Sequence, residues 1–255
     1  MIRVVLSAGI IGVTALAACP TAVPTAQAAP GVVVSPGMEI RQASNVCTLG
    51  YVDPVARVAY SAGHCQADGP VTDRDGRFPV ARVAYSAGHC QADGPVTDRD
   101  GRFIGMVTNF QDNTPDGAVV RTDQVISDYE MIALGADVAV NNILPGGRQL
   151  VAEAAPPMAN GQPVCHFGVI TGESCGSIER VNNGWFTMQN GVVSQKGDSG
   201  GPVYMPIDNN KAVIVGLFNS TWGNLPAAVS WVATSQQVRA GADVVNVAAA
   251  ADDQR

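Results

Sequence analysis

Short apolar runs punctuated by Gly, Pro, Asn and Asp make up most of the chain after its first segment. Cys47-Thr48-Leu49-Gly50-Tyr51-Val52 reads as a strand, Asp53-Pro54 as a turn, and Val55-Ala56-Arg57-Val58-Ala59-Tyr60 as the returning strand. Further strands are expected at Arg102-Phe103-Ile104-Gly105-Met106-Val107, at Asp128-Tyr129-Glu130-Met131-Ile132-Ala133-Leu134 and at Pro226-Ala227-Ala228-Val229-Ser230-Trp231. Residues 145–157, rich in Pro and Gly, read as a linker between two halves. Near the end, Ser235 to Ala240 reads as the start of a helix with Ser235 as its N-cap. Valine is abundant and charged residues are few, so the pattern predicts an all-β protein.

The N-terminus changes the picture from fold to location. Met1-Ile2-Arg3 followed by the apolar run Val4 to Ala18 is a positive leader and a short hydrophobic core, with a small-residue cleavage site at Ala26-Gln27-Ala28. A secreted protein beginning near Ala29 is expected. The rival is a membrane anchor, because Leu16-Ala17-Ala18-Cys19 resembles a bacterial lipobox that would leave Cys19 lipidated. A net charge of -7 argues against nucleic acid or an anionic membrane as partner. Cys47, Cys65, Cys90, Cys165 and Cys175 follow the leader, an odd set for an oxidising compartment.

Residues 54–78 and 79–103 are identical, so Ser61-Ala62-Gly63-His64-Cys65 recurs as Ser86-Ala87-Gly88-His89-Cys90. One copy is an insertion. A surface loop longer by this much costs on the order of 1 kcal/mol. His64 keeps the hairpin from Cys47 short; His89 keeps its following segment joined to the strand that begins at Arg102. Register favours His64, because a tight hairpin constrains pairing more than a loop does.

Gly197-Asp198-Ser199-Gly200-Gly201-Pro202-Val203 carries the chemistry: a serine among glycines, where the backbone turns tightly and N–H groups converge. This heptapeptide resembles the nucleophile motif of the trypsin-like (chymotrypsin-fold) serine proteases, and Ser61-Ala62-Gly63-His64-Cys65 resembles the histidine motif of their secreted bacterial, streptogrisin-like branch. The resemblance implies two perpendicular six-stranded antiparallel β-barrels with a C-terminal helix, Ser199 as nucleophile, His64 or His89 as general base, and Gly197 and Ser199 N–H groups as oxyanion hole. Asp128 is the third member by the apolar residues that follow it; Asp137 is the competitor. The resemblance also implies disulfides Cys47–Cys65 and Cys165–Cys175; the odd thiol is then Cys90, or Cys65 if His89 is the base. A metal site at Cys165-His166 and Cys175 is disfavoured, since no second pair completes a tetrahedron.

Three features concern substrate and partner. Val193 stands where the family places the floor of the primary specificity pocket, so apolar or small P1 residues are expected. The strand Gly216 to Gly223 corresponds to the wall that pairs with substrate, with Ser220, Trp222 and Gly223 as candidate contacts and a core role as the alternative for Trp222. His166 replaces an arginine that in that branch pairs with the aspartate before the nucleophile, here Asp198; it is either that partner or a histidine satisfied in its hairpin. Residues 29–46 are too short for the folding pro-region of many relatives. The expected organisation is a signal peptide at 1–28, a first barrel at 29–144 and a second at 145–255. A monomeric, cofactor-free secreted endopeptidase acting on peptide or protein is expected, with an inactive binding protein on the same fold, or an esterase, as alternatives.

Overall fold

The computed structural model describes residues 31–66, 94–115, 120–152 and 157–240. The described chain opens with β1 (Val33–Val34) and continues through β2 (Glu39–Gln42), β3 (Asn45–Thr48), β4 (Tyr51–Asp53), β5 (Val58–Ser61), β6 (Pro95–Asp98), β7 (Phe103–Asp112) and β8 (Asp128–Leu134). β2 to β8 form one sheet in the order β3-β2-β6-β7-β8-β5-β4. Its two outer strands are successive halves of one bent segment. At the bend the Leu49 N–H donates to Met38 at 2.9 Å and the Gly50 N–H to Tyr60 at 2.8 Å, so the sheet curls back on itself.

β9 (Ala139–Val140) pairs in parallel with β1, after which come β10 (Gln149–Val151), β11 (Pro163–Gly168), β12 (Gly172–Val181), β13 (Trp185–Gln189), β14 (Pro202–Pro206), β15 (Lys211–Trp222) and β16 (Leu225–Ser230). The second sheet runs β10-β15-β14-β11-β12-β13-β16, and β16 pairs again with β15 to close a barrel. Residues 231–240 are helical. The all-β expectation holds, with two curled sheets and a C-terminal helix.

Alternation along the strands explains where the cores sit. Ile132 and Leu134 of β8 join Ile40, Val52, Val96 and Ile104 in the first core, while Val203, Met205, Val213 and Val215 fill the second. Tyr129 and Tyr204 belong to a third cluster that also holds Tyr51, Leu217 and Trp231. The Trp231 ring meets Tyr51 and Tyr60 edge-on, each at 5.1 Å between centroids, pairs worth about 0.5–1.5 kcal/mol beyond burial.

Four local expectations are corrected. The returning strand begins at Val58 rather than Val55, because Asp53 Oδ1 accepts the N–H groups of Val55 and Ala56 at 2.9 Å and Arg57 adopts φ 54°. The linker reading of 145–157 misses β10, which pairs in parallel with β15. The helix begins at residue 231, so Ser235 lies inside it and donates back to the Val232 carbonyl at 3.0 Å instead of capping. The repeat is split: β5 and the histidine turn come from the first copy, β6 from the second, and residues 67–93 lie outside the described residues.

Candidate active site

Asp128 opens β8 and is fully buried. One carboxylate oxygen accepts the His64 backbone N–H at 2.9 Å, and the other faces His64 Nδ1 at 2.8 Å. A third donor is the amide of Asn219, at 2.6 Å. His64 sits on a 3-10 turn, Gly63–Cys65, which the Cys47–Cys65 disulfide fastens to β3 and the Asn45 amide fastens through the Cys65 carbonyl at 3.2 Å. Burial by itself lowers the imidazole pKa, but the hydrogen bond and charge of Asp128, with smaller help from Asp112, raise it above its ordinary 6.5. With Nδ1 turned to a carboxylate, Nε2 carries the free lone pair.

Ser199 lies on the loop between β13 and β14, and its hydroxyl donates to the Asn219 carbonyl at 3.2 Å. Asn219 therefore touches both the serine and the aspartate. Thr48, fully buried at the end of β3, holds the same loop from the first barrel. Its N–H donates to the Ser199 carbonyl at 2.8 Å, and its hydroxyl donates to the Gly197 carbonyl at 2.8 Å while accepting the Val169 N–H at 3.0 Å. Gly200, at φ +82°, is where backbone meets backbone: a Cβ there would strike Ser61 Oγ, the Thr48 carbonyl and the Ala62 nitrogen. Among the described residues, the N–H groups of Gly197 and Ser199 have no protein acceptor.

Asp198 does not pair with His166. Its oxygens accept the N–H groups of Ile170 at 2.9 Å, Thr171 at 3.2 Å and Gln195 at 2.7 Å, together with the Thr171 hydroxyl at 2.9 Å. Backbone donors thus replace a cation. His166 is not satisfied in its hairpin either: fully buried, it lies 4.5 Å from the Phe218 ring, and neither ring nitrogen has a hydrogen-bond partner among the described residues. Burial, against the opposing pull of Asp198 and the Pro202 backbone, lowers its pKa to about 4 and keeps it neutral.

The other candidates divide. Asp137 is exposed, on a turn after β8, and His89 and Cys90 lie outside the described residues. Cys165 and Cys175 are bridged to each other, which removes them as metal ligands. Val193 is half exposed, its backbone pinned on both sides to the Ser174 hydroxyl, at 3.1 and 3.4 Å. Next to it, the Ser194 and Thr221 hydroxyls meet at 3.1 Å and join the Ser199 loop to β15. Ser220 donates to the Asn219 side-chain oxygen at 2.6 Å, and Gly223 occupies the β15–β16 turn at φ 63°. Trp222 is buried edge-on against Trp185 at 4.7 Å between centroids, which is the core alternative. Sequence reading missed Thr48 and Asn219. A buried amide interrupting the apolar run of β15 was the available signal for Asn219.

No protein-family profile matches the chain. Two Mycobacterium tuberculosis proteins do: the uncharacterized protein MT1863 of strain CDC 1551 / Oshkosh is 50% identical over 225 residues, 88% of this chain and 90% of that protein. The uncharacterized protein Rv1815 of strain H37Rv is 49% identical over 225 residues, with the same coverage of 88% and 90%. Among solved structures, Cellulomonas bogoriensis chymotrypsin aligns with a TM-score of 0.47 and 19% identity, covering 78% of this chain and 90% of that one. A Nocardiopsis protease aligns with a TM-score of 0.47 and 16% identity, covering 78% and 92%.

Proposed function

The chain belongs to the family of the mycobacterial proteins MT1863 and Rv1815, and we propose that it is a secreted serine endopeptidase of trypsin-like fold. One observation carries the reading: Asn219 donates to Asp128 and accepts from Ser199, while Asp128 holds His64, so Asn219 links the serine of the second barrel to the His64–Asp128 pair of the first. In the reaction, the Ser199 hydroxyl leaves the Asn219 carbonyl, gives its proton to Nε2 of His64 and attacks the peptide carbonyl. Asp128 fixes the tautomer and stabilises the imidazolium. The N–H groups of Gly197 and Ser199 receive the oxyanion. The imidazolium then protonates the leaving amine, and water resolves the acyl-enzyme by the same steps in reverse.

Apolar Val193 supplies no partner for a basic P1 side chain, which supports a preference for small or apolar P1 residues. The leader pattern and the two disulfides support secretion. No helix among the described residues is long and apolar enough to cross a membrane. Domain limits near residue 144 and a monomeric state complete the reading.

The test is intact-mass analysis after exposure to a fluorophosphonate, with Ser199→Ala alongside. One adduct that disappears in the variant, followed by cleavage of peptides with Ala or Val at P1, is the expected outcome. No adduct on folded protein would refute the enzyme in favour of the binding protein, and turnover of esters without peptides would favour the esterase.

A further inference from the structure

Glu130 follows Asp128 by two residues on β8, so both side chains project from the same face of the strand. Glu130 is fully buried, and Gln42 of β2 is buried to within 2%. The Gln42 amide lies 2.7 and 2.9 Å from the two Glu130 oxygens, while its own Oε1 has no partner among the described residues. Both ends of this contact lead to the site. Gln42 pairs in register with Asn45, whose amide holds the Cys65 carbonyl; Glu130 pairs with Ser61, three residues before His64.

We propose that Gln42 and Glu130 form a tie across the first barrel that positions the His64–Asp128 pair, with Glu130 held as the neutral acid whose O–H the Gln42 side-chain oxygen accepts once its amide is turned about its last bond. This rests on reading that pair as the catalytic base and its orienter. The charges facing Glu130 are Asp128 on its own strand and His64 on the 3-10 turn; Gln42 on β2, Ser61 on β5 and Phe110 on β7 are uncharged. An ionised carboxylate there would be buried with no cation hydrogen-bonded to it and with Asp128 as a like-charged neighbour, a costly arrangement that protonation avoids. Burial accordingly pushes the carboxyl up to about 8, the Gln42 donor and His64 opposing and Asp128 adding to the rise. A neutral Glu130 leaves Asp128 as the charge that orients His64. Both residues are positioning residues, since they touch no reacting atom.

The test compares purified wild type, Glu130→Gln, Glu130→Ala and Gln42→Ala by the low-field His64 Nδ1 proton resonance, the His64 titration midpoint and the fluorophosphonate labelling rate. Wild type and Glu130→Gln should keep the resonance, with midpoints agreeing within about 0.3 units. Glu130→Ala and Gln42→Ala should broaden it and slow labelling about tenfold, the amide variant recovering most of that loss. A midpoint that falls by about one unit in Glu130→Gln would overturn the neutral acid, because removing a negative charge lowers a neighbouring imidazole pKa. An unchanged resonance and rate in both alanine variants would overturn the tie. Should Glu130→Ala fail to fold, Gln42→Ala decides. A wild type with the resonance but no labelling would sink the protease reading and leave the tie standing.

Discussion

Thr48→Val removes a single hydroxyl from the junction between the barrels while keeping the β-branched shape of a strand residue. The hydroxyl donates to the Gly197 carbonyl at 2.8 Å and accepts the Val169 N–H at 3.0 Å, and Thr48 is fully buried. The variant leaves one carbonyl and one N–H without their partners, each worth about 1–3 kcal/mol when buried. Val169 is only half-buried, so water partly compensates there, and a total loss of about 2–4 kcal/mol is expected. Thr48→Ser keeps both bonds and gives up one methyl, about 1 kcal/mol. Urea unfolding of the three proteins, monitored by tryptophan fluorescence at one pH, measures the difference. Labelling of Ser199 should slow by about tenfold in Thr48→Val, because the loop that carries the Gly197 and Ser199 N–H groups loses its anchor at the Gly197 carbonyl. Equal losses in the valine and serine variants, or a valine variant within about 0.5 kcal/mol of wild type, would refute the assignment of this hydroxyl as a strut.

Other outcomes follow from the same geometry. Because Asp128 raises the His64 pKa above 6.5 and the base must be neutral, the labelling rate should climb with pH through a midpoint above 6.5. Asp128→Asn leaves burial to dominate, so its midpoint should fall below 6.5, and a midpoint unchanged from wild type would contradict the pairing. Glu130, raised to about 8 from 4.5, holds a proton in the folded state that the unfolded chain releases, so stability should decline between those pH values. At about 1.4 kcal/mol per unit, Glu130→Gln should escape a loss of a few kcal/mol over that window, checked by urea unfolding at pH 5 and pH 9. His166→Phe removes two buried nitrogens without partners and should be neutral or stabilising by about 1–3 kcal/mol, with labelling retained. Lost labelling in that variant would restore His166 as the partner of Asp198.

Local spacing made the strands, the histidine turn and the nucleophile loop legible in the chain. Asp128 followed by alternating buried residues marks a strand edge, and the glycines around Ser199 mark a loop whose backbone must pass close to another. Identical copies, by contrast, carry no local difference, so sequence alone left His64 and His89 as alternatives. Tertiary contact places Asp128 on His64, the turn being fastened by Cys47 and Asn45. The partner of Asp198 stayed open in the sequence for a related reason: His166 was one of two readings, whereas a turn of β11–β12 folds over Asp198 and supplies N–H groups that every residue possesses. Asn219, Thr48 and the Gln42–Glu130 tie share that property. Each joins residues distant in sequence through hydrogen-bonding groups common to many positions, and which of them meet is decided only when the two sheets curl and pack.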